Sequence, residues 1–289
     1  MSSVFRYIRK APRIAAAFVA EPMETWIRFH AKFANFGSSR RPRCSYVVDP
    51  DWDRRLHEML SAPWPCREAA EFWTLWPEVI GALTAQGMRI GPASFGVWND
   101  GEPELVRAVW CLTRHLRPTK VVETGVARGL TSRFILEALE KNKTGHLWSV
   151  DLPPLLEPQL HAQIGAAVGN RFANRWSYIK GSSQRRLPGL LSKLGQINMF
   201  IHDSTHTDRN VRFELQHVYN ALTPGGAIVV DDIDLNWGFH AFRQAFPDQR
   251  SLVCQAQPIT PDLRRFDGRG LFGIACKEVC SQSSPRPER

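Results

Sequence analysis

The stretch Lys120-Val121-Val122-Glu123-Thr124-Gly125-Val126-Ala127-Arg128-Gly129-Leu130-Thr131 decides the fold. A short β-branched run ends on an acid, Glu123. Small residues then stand at every second position: Gly125, Ala127 and Gly129. From Thr131 to Lys141 the apolar residues Phe134, Ile135, Ala138 and Leu139 fall on one helical face. A strand, a glycine turn and a helix start, in that order, make a cradle for a nucleotide-like ligand. The glycines let the backbone come close, and the first N–H groups of the helix are free to donate. The spacing is G-x-A-x-G with a glutamate two residues before the first glycine, which departs from the dinucleotide fingerprint G-x-G-x-x-G.

Working outward, strand and helix patterns alternate from Glu104 onward, the mark of a parallel, doubly wound α/β sheet. Helices are expected over 104–116, 131–141, 158–169, 185–194, 208–222 and 237–246. Strands are expected over 120–123, 146–151, 176–180, 197–203 and 227–231, with a closing pair at 251–257 and 270–276. Only a loop joins that last pair. A symmetric dinucleotide fold would insert another crossover helix there, so the sheet should have seven strands and end in an antiparallel hairpin.

Ligands of open parallel sheets sit at the carboxyl ends of the strands. Here those ends carry Glu123, Asp151, Asp203, Asp231 and Asp232. Unpaired carboxylates are costly to bury, so this series points to a ligand with several hydroxyls and a positive centre. Asp151 is placed to accept ribose hydroxyls; a helix cap before Pro153-Pro154 is the alternative. Ser182, in Gly181-Ser182-Ser183, is either a ligand contact or the cap of the next helix. His206 stands in the loop after the fourth strand, where imidazole suits a general base. His202 lies inside the strand and reads as structural. Asn236 and His240 are further candidates for the acceptor pocket.

The Glu123–Gly129 turn resembles motif I of the class I S-adenosylmethionine (SAM) dependent methyltransferases. From Met199 through the Leu222-Thr223-Pro224-Gly225-Gly226 turn to Asp231-Asp232, the chain looks like the small-molecule O-methyltransferases, the sugar and macrolide type included. The resemblance spans about residues 104–277. It implies a Rossmann-like fold and transfer of a methyl group to a hydroxyl of a small molecule or glycan. It also implies SAM contacts at Glu123, Gly125, Ala127, Gly129, Asp151 and Ser182. Some of those enzymes bind Mg²⁺ through acids matching Asp203, Asp231 and Asp232, and oxygen donors suit that ion. Asp203 and His206 are then the candidates for catalysis. The N/D-P-P-Y/F motif of base-modifying relatives is absent, which argues against a nucleic-acid substrate. Two rivals stay open: a nucleotide-dependent oxidoreductase and a non-catalytic SAM-binding scaffold.

Composition sets the remaining bounds. The 289 residues, 43% apolar, suit one large domain with an extension. We divide them into an N-terminal helical cover (1–100), the SAM-binding domain (101–277) and a flexible tail (278–289). The formal charge of +9 is uneven: residues 1–44 carry nine basic residues against two acids, and the body is almost neutral. Such an arm suits an acidic partner or an anionic membrane surface, with a solvated basic face as the plain alternative. The apolar run Ile14–Ala20 is only seven residues and follows a long basic region, so it is not read as a leader. From Pro22 a helix presents Trp26, Phe29, Phe33 and Phe36 on one face. The body of the protein is its expected partner, and a second subunit in a homo-oligomer is the alternative. Trp52, Trp64, Trp73, Trp76, Trp98 and Trp110 gather in and beside the cover, where packing explains most of them and pocket closure is the functional alternative. Six scattered cysteines without a C-x-x-C pair point to reduced thiols in the cytoplasm rather than a zinc ribbon or a disulfide scaffold.

Overall fold

The computed structural model describes residues 11–38, 44–96, 98–100, 103–155, 157–255 and 270–278. Two helices open the chain, α1 (Ala11–Ala20) and α2 (Pro22–Ser38), followed by α3 (Trp52–Met59) and α4 (Arg67–Ala85). The strands β1 (Gly91–Phe95) and β2 (Trp98–Asp100) pair as a small antiparallel hairpin that the irregular sequence pattern of this region does not predict. The alternating part runs through α5 (Pro103–Leu116), β3 (Lys120–Thr124), α6 (Leu130–Asn142), β4 (His146–Asp151), β5 (Trp176–Lys180), α7 (Ser183–Leu194) and β6 (Ile197–His202). It closes with α8 (Asp208–Ala221), β7 (Leu222–Val230), α9 (Gly238–Ala245), β8 (Gln249–Gln255) and β9 (Leu271–Lys277).

These last seven strands form one sheet in the order β5-β4-β3-β6-β7-β9-β8. The pairs from β5 through β7 are parallel; β9 runs antiparallel between β7 and β8, with Val229 opposite Ile274 and Leu252 opposite the same residue. The expected seven-stranded sheet with a terminal antiparallel hairpin is therefore the one observed. Strand order reverses between β3 and β6, which opens a crevice beyond their carboxyl ends.

Both faces of the sheet are covered, so its strands are apolar throughout. On one face, Val121, Met199 and Val229 pack with α5, α6 and the cover helices α3 and α4 in a single cluster. Phe72 and Trp76 of α4 place their rings 5.3 and 5.2 Å from that of Phe134 on α6. Trp52 and Trp110 are buried in the same cluster, and packing accounts for them. On the other face, Val122, Phe200 and Ile228 pack against α7, α8 and α9.

The helix expected over 158–169 does not form as an α-helix. The segment holds two short 3₁₀ turns, Pro158–Gln163 and Asn170–Phe172. Two of its N–H groups are used elsewhere: Gly165 donates to the Ala127 carbonyl at 3.0 Å and Ala167 to that of Arg128 at 2.8 Å. Gly165 has a φ of +70°, and the Trp176 ring would stand 2.4 Å from a Cβ there. Tertiary bonds to the glycine turn have replaced helical ones.

Candidate active site

The turn after β3 is built for close approach. Gly125 has a φ of +85°, and an added Cβ would lie 1.9 Å from the Asp203 carbonyl oxygen. Only glycine lets the β3 and β6 loops meet here. Gly125 N–H donates to Val150 (2.9 Å) and Asp203 N–H donates to Thr124 (2.8 Å), so the loops leaving β3, β4 and β6 are knit at the crevice. Gly129, at φ +83°, caps the start of α6.

A cavity of about 560 Å³ fills this crevice. Gly125, Val126 and Ala127 form one wall; Asp151 and Ser182 another; Asp203, His206, Asp231 and Asp232 a third. Eight of the residues singled out in the sequence thus share one cavity with their neighbours in chain: Gly125, Ala127, Asp151, Ser182, Asp203, His206 and the Asp231-Asp232 pair. Glu123 and Gly129 do not line it. Neither do Asn236 and His240; Asn236 is buried and accepts from Gly238 N–H at 2.7 Å.

Each acid has its own setting. Asp151 Oδ2 accepts from the N–H groups of Val126 (3.1 Å) and Ala127 (3.0 Å), and Oδ1 accepts from Leu152 (2.7 Å). Burial pushes its pKa up; those three amides and the nearby Arg28 guanidinium oppose the shift. Glu123 lies under the turn, where Ser132 and Ser149 donate to Oε2 at 2.6 and 2.7 Å. Alternation along β3 sends its side chain into the sheet–helix layer rather than the crevice. Burial pushes the Glu123 pKa up to about 7 against those two donors.

At the third wall, donor atoms of Asp203, His206 and Asp231 all lie within 4.8 Å of one another. His206 Nε2 is 3.7 Å from Asp203 Oδ1 and 3.8 Å from Asp232 Oδ2. The expected acid triad is therefore rearranged: His206 joins Asp203 and Asp231, while Asp232, at a φ of +51°, faces the imidazole. Burial lowers the His206 pKa to about 4, with the Asp232 charge opposing. Behind it, His202 Nδ1 and Glu214 Oε2 are 2.7 Å apart with no exposure on either side chain. Thr124, Ser204 and Asn210 also donate to Glu214. Burial opposes its charge, but His202 and the donors hold its pKa down at about 2. This buried network fixes the loop that carries Ser204 to His206. Asp203 does not cap α8; Thr207 does, accepting from Asn210 N–H at 3.2 Å.

Some cavity residues were not foreseen from the sequence. Ile27 and Arg28 arrive from α2, and Phe95 from β1. Arg28 donates to the Pro153 carbonyl, and both Glu24 carboxylate oxygens sit 3.2 Å from Ser182 N. The Ser182 hydroxyl is buried without a hydrogen-bond partner among the described residues. The only sequence signal for this strap was an aromatic stripe on α2, which marked the helix but not its polar face. Of that stripe, Trp26 is largely exposed, and the side chains of Phe33 and Phe36 lie outside the described residues.

No curated protein sequence matches the chain significantly. Among solved structures, it is similar to an O-methyltransferase from Bacillus cereus in complex with S-adenosylhomocysteine (SAH), at 14% identity and a TM-score of 0.48, covering 79% of this chain and 97% of that one. It is also similar to TomG, an O-methyltransferase of tomaymycin synthesis from Streptomyces achromogenes in complex with SAM (14% identity, TM-score 0.48, 70% and 88% covered). The SAH-bound methyltransferase PaMTH1 from Podospora anserina is a third (12%, 0.44, 81% and 99%). At these identities and scores the likeness says nothing of substrate or mechanism. Residues 122–233 match a family model described as a methyltransferase domain. That span runs from β3 to the acid pair after β7 and contains every residue of the turn and of the three cavity walls except those given by α2, β1 and α5. Over that span the chain is similar to a methyltransferase domain.

Proposed function

We propose that the protein transfers the methyl group of SAM to a hydroxyl of a small molecule or glycan. The observation that supports this is the meeting of the Asp203–His206–Asp231 cluster with the glycine turn, Asp151 and Ser182 in one cavity. Its volume of about 560 Å³ falls in the usual range for small-molecule sites.

The residues fit the cofactor. A carboxylate has about four acceptor sites, and three of those on Asp151 take backbone N–H groups. About one is left for a ribose hydroxyl, so gripping both hydroxyls requires the release of an amide. The unpartnered Ser182 hydroxyl suits a polar edge of the adenine. Gly125 and Ala127 present backbone to the ligand, and Glu123 holds the turn from beneath rather than touching it.

Bound SAM supplies a methyl group on a positively charged sulfur. The chain's own task is to align the acceptor and take its proton. His206 is neutral near pH 7 and can accept that proton, with Asp203 and Asp232 stabilising the imidazolium. The same cluster meets the needs of a divalent ion. Mg²⁺ held by Asp203, Asp231 and His206 would lower the pKa of the acceptor hydroxyl, and His206 would then be a ligand instead of a base.

Calorimetric titration with SAH, with and without Mg²⁺, is the test. SAH should bind, and Asp151→Ala should weaken it by about 10- to 100-fold, as expected for losing a hydrogen bond to a charged group. His206→Ala should leave SAH affinity unchanged and lower turnover of a responsive hydroxyl acceptor by about 10²- to 10⁴-fold. Absence of SAH binding, with NAD bound in its place, would replace this proposal with the oxidoreductase. Full turnover in both Asp203→Asn and His206→Ala would remove the base and the metal together.

A further inference from the structure

A second cluster of metal-ligating side chains lies away from the cavity, between the cover helices and α5. Donor atoms of His57, Cys66 and His115 all fall within 4.8 Å of one another. His57 is in the last turn of α3, Cys66 is the residue before α4, and His115 is in the last turn of α5. Cys111 stands one helical turn before His115, so the two share a face of α5. Its thiol neighbours that of Cys66. None of the four lines the cavity. Val106 does, and it precedes His115 by nine residues, about 14 Å along the helix axis.

The surroundings prepare these groups for a cation. His57 has no exposure, and its Nδ1 meets the Asp53 carbonyl at 2.6 Å. That contact fixes the proton on Nδ1 and turns Nε2, as a lone pair, toward Cys66 Sγ at 2.9 Å. A carbonyl behind a ligating histidine is the usual outer-shell arrangement. His115 Nε2 is buried without a hydrogen-bond partner among the described residues, 4.0 Å from a Glu68 oxygen. The Cys66 sulfur accepts from Ala69 N–H at the start of α4. Two imidazoles and two thiols select zinc over magnesium or calcium.

We propose that His57, Cys66, Cys111 and His115 form a closed structural Zn²⁺ site that clamps α3 and α4 onto α5. Zinc bonds of about 2.0 Å to nitrogen and 2.3 Å to sulfur in a tetrahedron set donors about 3.5 Å apart. The present 2.9 Å contact therefore opens by about half an ångström as the ion enters. With four protein donors no position stays open for a substrate, so the site stabilises the cover and takes no part in methyl transfer. Binding releases the protons that the thiols still carry.

The experiment is metal analysis of the full chain purified without chelator, followed by removal of metal and titration with Zn²⁺ and Co²⁺. The expected result is one zinc per chain. Co²⁺ should give the visible bands of tetrahedral geometry and a thiolate-to-metal charge-transfer band. Cys66→Ser and His115→Gln should each weaken zinc by more than about a hundredfold, beyond the 10- to 100-fold loss from altering an outer-shell partner. Cys254→Ser, outside the cluster, should not. His115→Gln is the variant least at risk of misfolding, since that side chain is partly exposed; its circular dichroism should match the parent. The charge-transfer band separates this site from the Asp203 cluster, which has no thiol. The proposal is overturned by absence of stoichiometric zinc, by a Co²⁺ spectrum without charge transfer, or by zinc that survives Cys66→Ser. A Cys66–Cys111 disulfide, found as two missing thiols in a metal-free chain, would overturn it as well.

Discussion

Glu123 illustrates how one residue couples the turn to pH. Its carboxyl has 1% exposure, and its folded pKa of about 7 lies above the ordinary 4.5. The folded state therefore holds a proton that the unfolded chain releases. This contribution to stability is fully present below pH 4.5 and is lost as pH rises from 4.5 through about 7. The loss is on the order of 3 kcal/mol. Glu123→Gln removes the ionisation. Urea unfolding from pH 4.5 to 8 should show a falling profile for the parent and a nearly level one for the variant. Parallel profiles would mean that the carboxyl is ionised in the fold.

At the scale of elements, α2 is a strap across the ends of β4 and β5. Lys180 Nζ and Glu21 Oε1 pair at 2.8 Å, Arg185 and Glu24 at 3.1 Å, and Arg28 reaches the Pro153 carbonyl. The exposed pair adds little. The Glu24 carboxylate is buried and holds the Ser182 N–H, so it carries most of the attachment. A hydrogen bond to a charged group is worth about 1.5–3 kcal/mol. If α2 closes over bound SAH, Glu24→Ala should speed its release about tenfold or more, measured by stopped-flow tryptophan fluorescence. An unchanged release rate would leave α2 with packing alone.

For the whole molecule, the boundary near residue 100 divides the sequence but not the core. Leu56, Phe72, Val79 and Leu83 of the cover share one buried cluster with Val109, Phe134 and Met199. A chain of residues 101–289 would expose that face to water, an apolar loss far larger than a domain's margin of stability. The full chain should unfold in one transition, and the 101–289 fragment should lack near-ultraviolet circular dichroism. A fragment that unfolds cooperatively would show the cover to be an appendage. No helix among the described residues is long and apolar enough to cross a membrane.

Local pattern by itself determined the order of strands and helices, the glycine turn and the acids at the strand ends. Period and spacing are properties of neighbours in the chain, and β-branched runs between glycine turns leave few other choices. Val121-Val122, Ile197–Phe200 and Ile228–Val230 could be little else but buried parallel strands. The same logic failed at 158–169, where N–H groups go to Ala127 and Arg128 across the molecule. Tertiary structure alone decided that Glu123 lies beneath the turn, that His206 rather than Asp232 joins Asp203 and Asp231, and that α2 closes the far wall. It also brought His57 and Cys66 to His115, more than forty residues later. Contacts of that kind depend on how helices pack on a sheet, and side-chain spacing along the chain holds no trace of them.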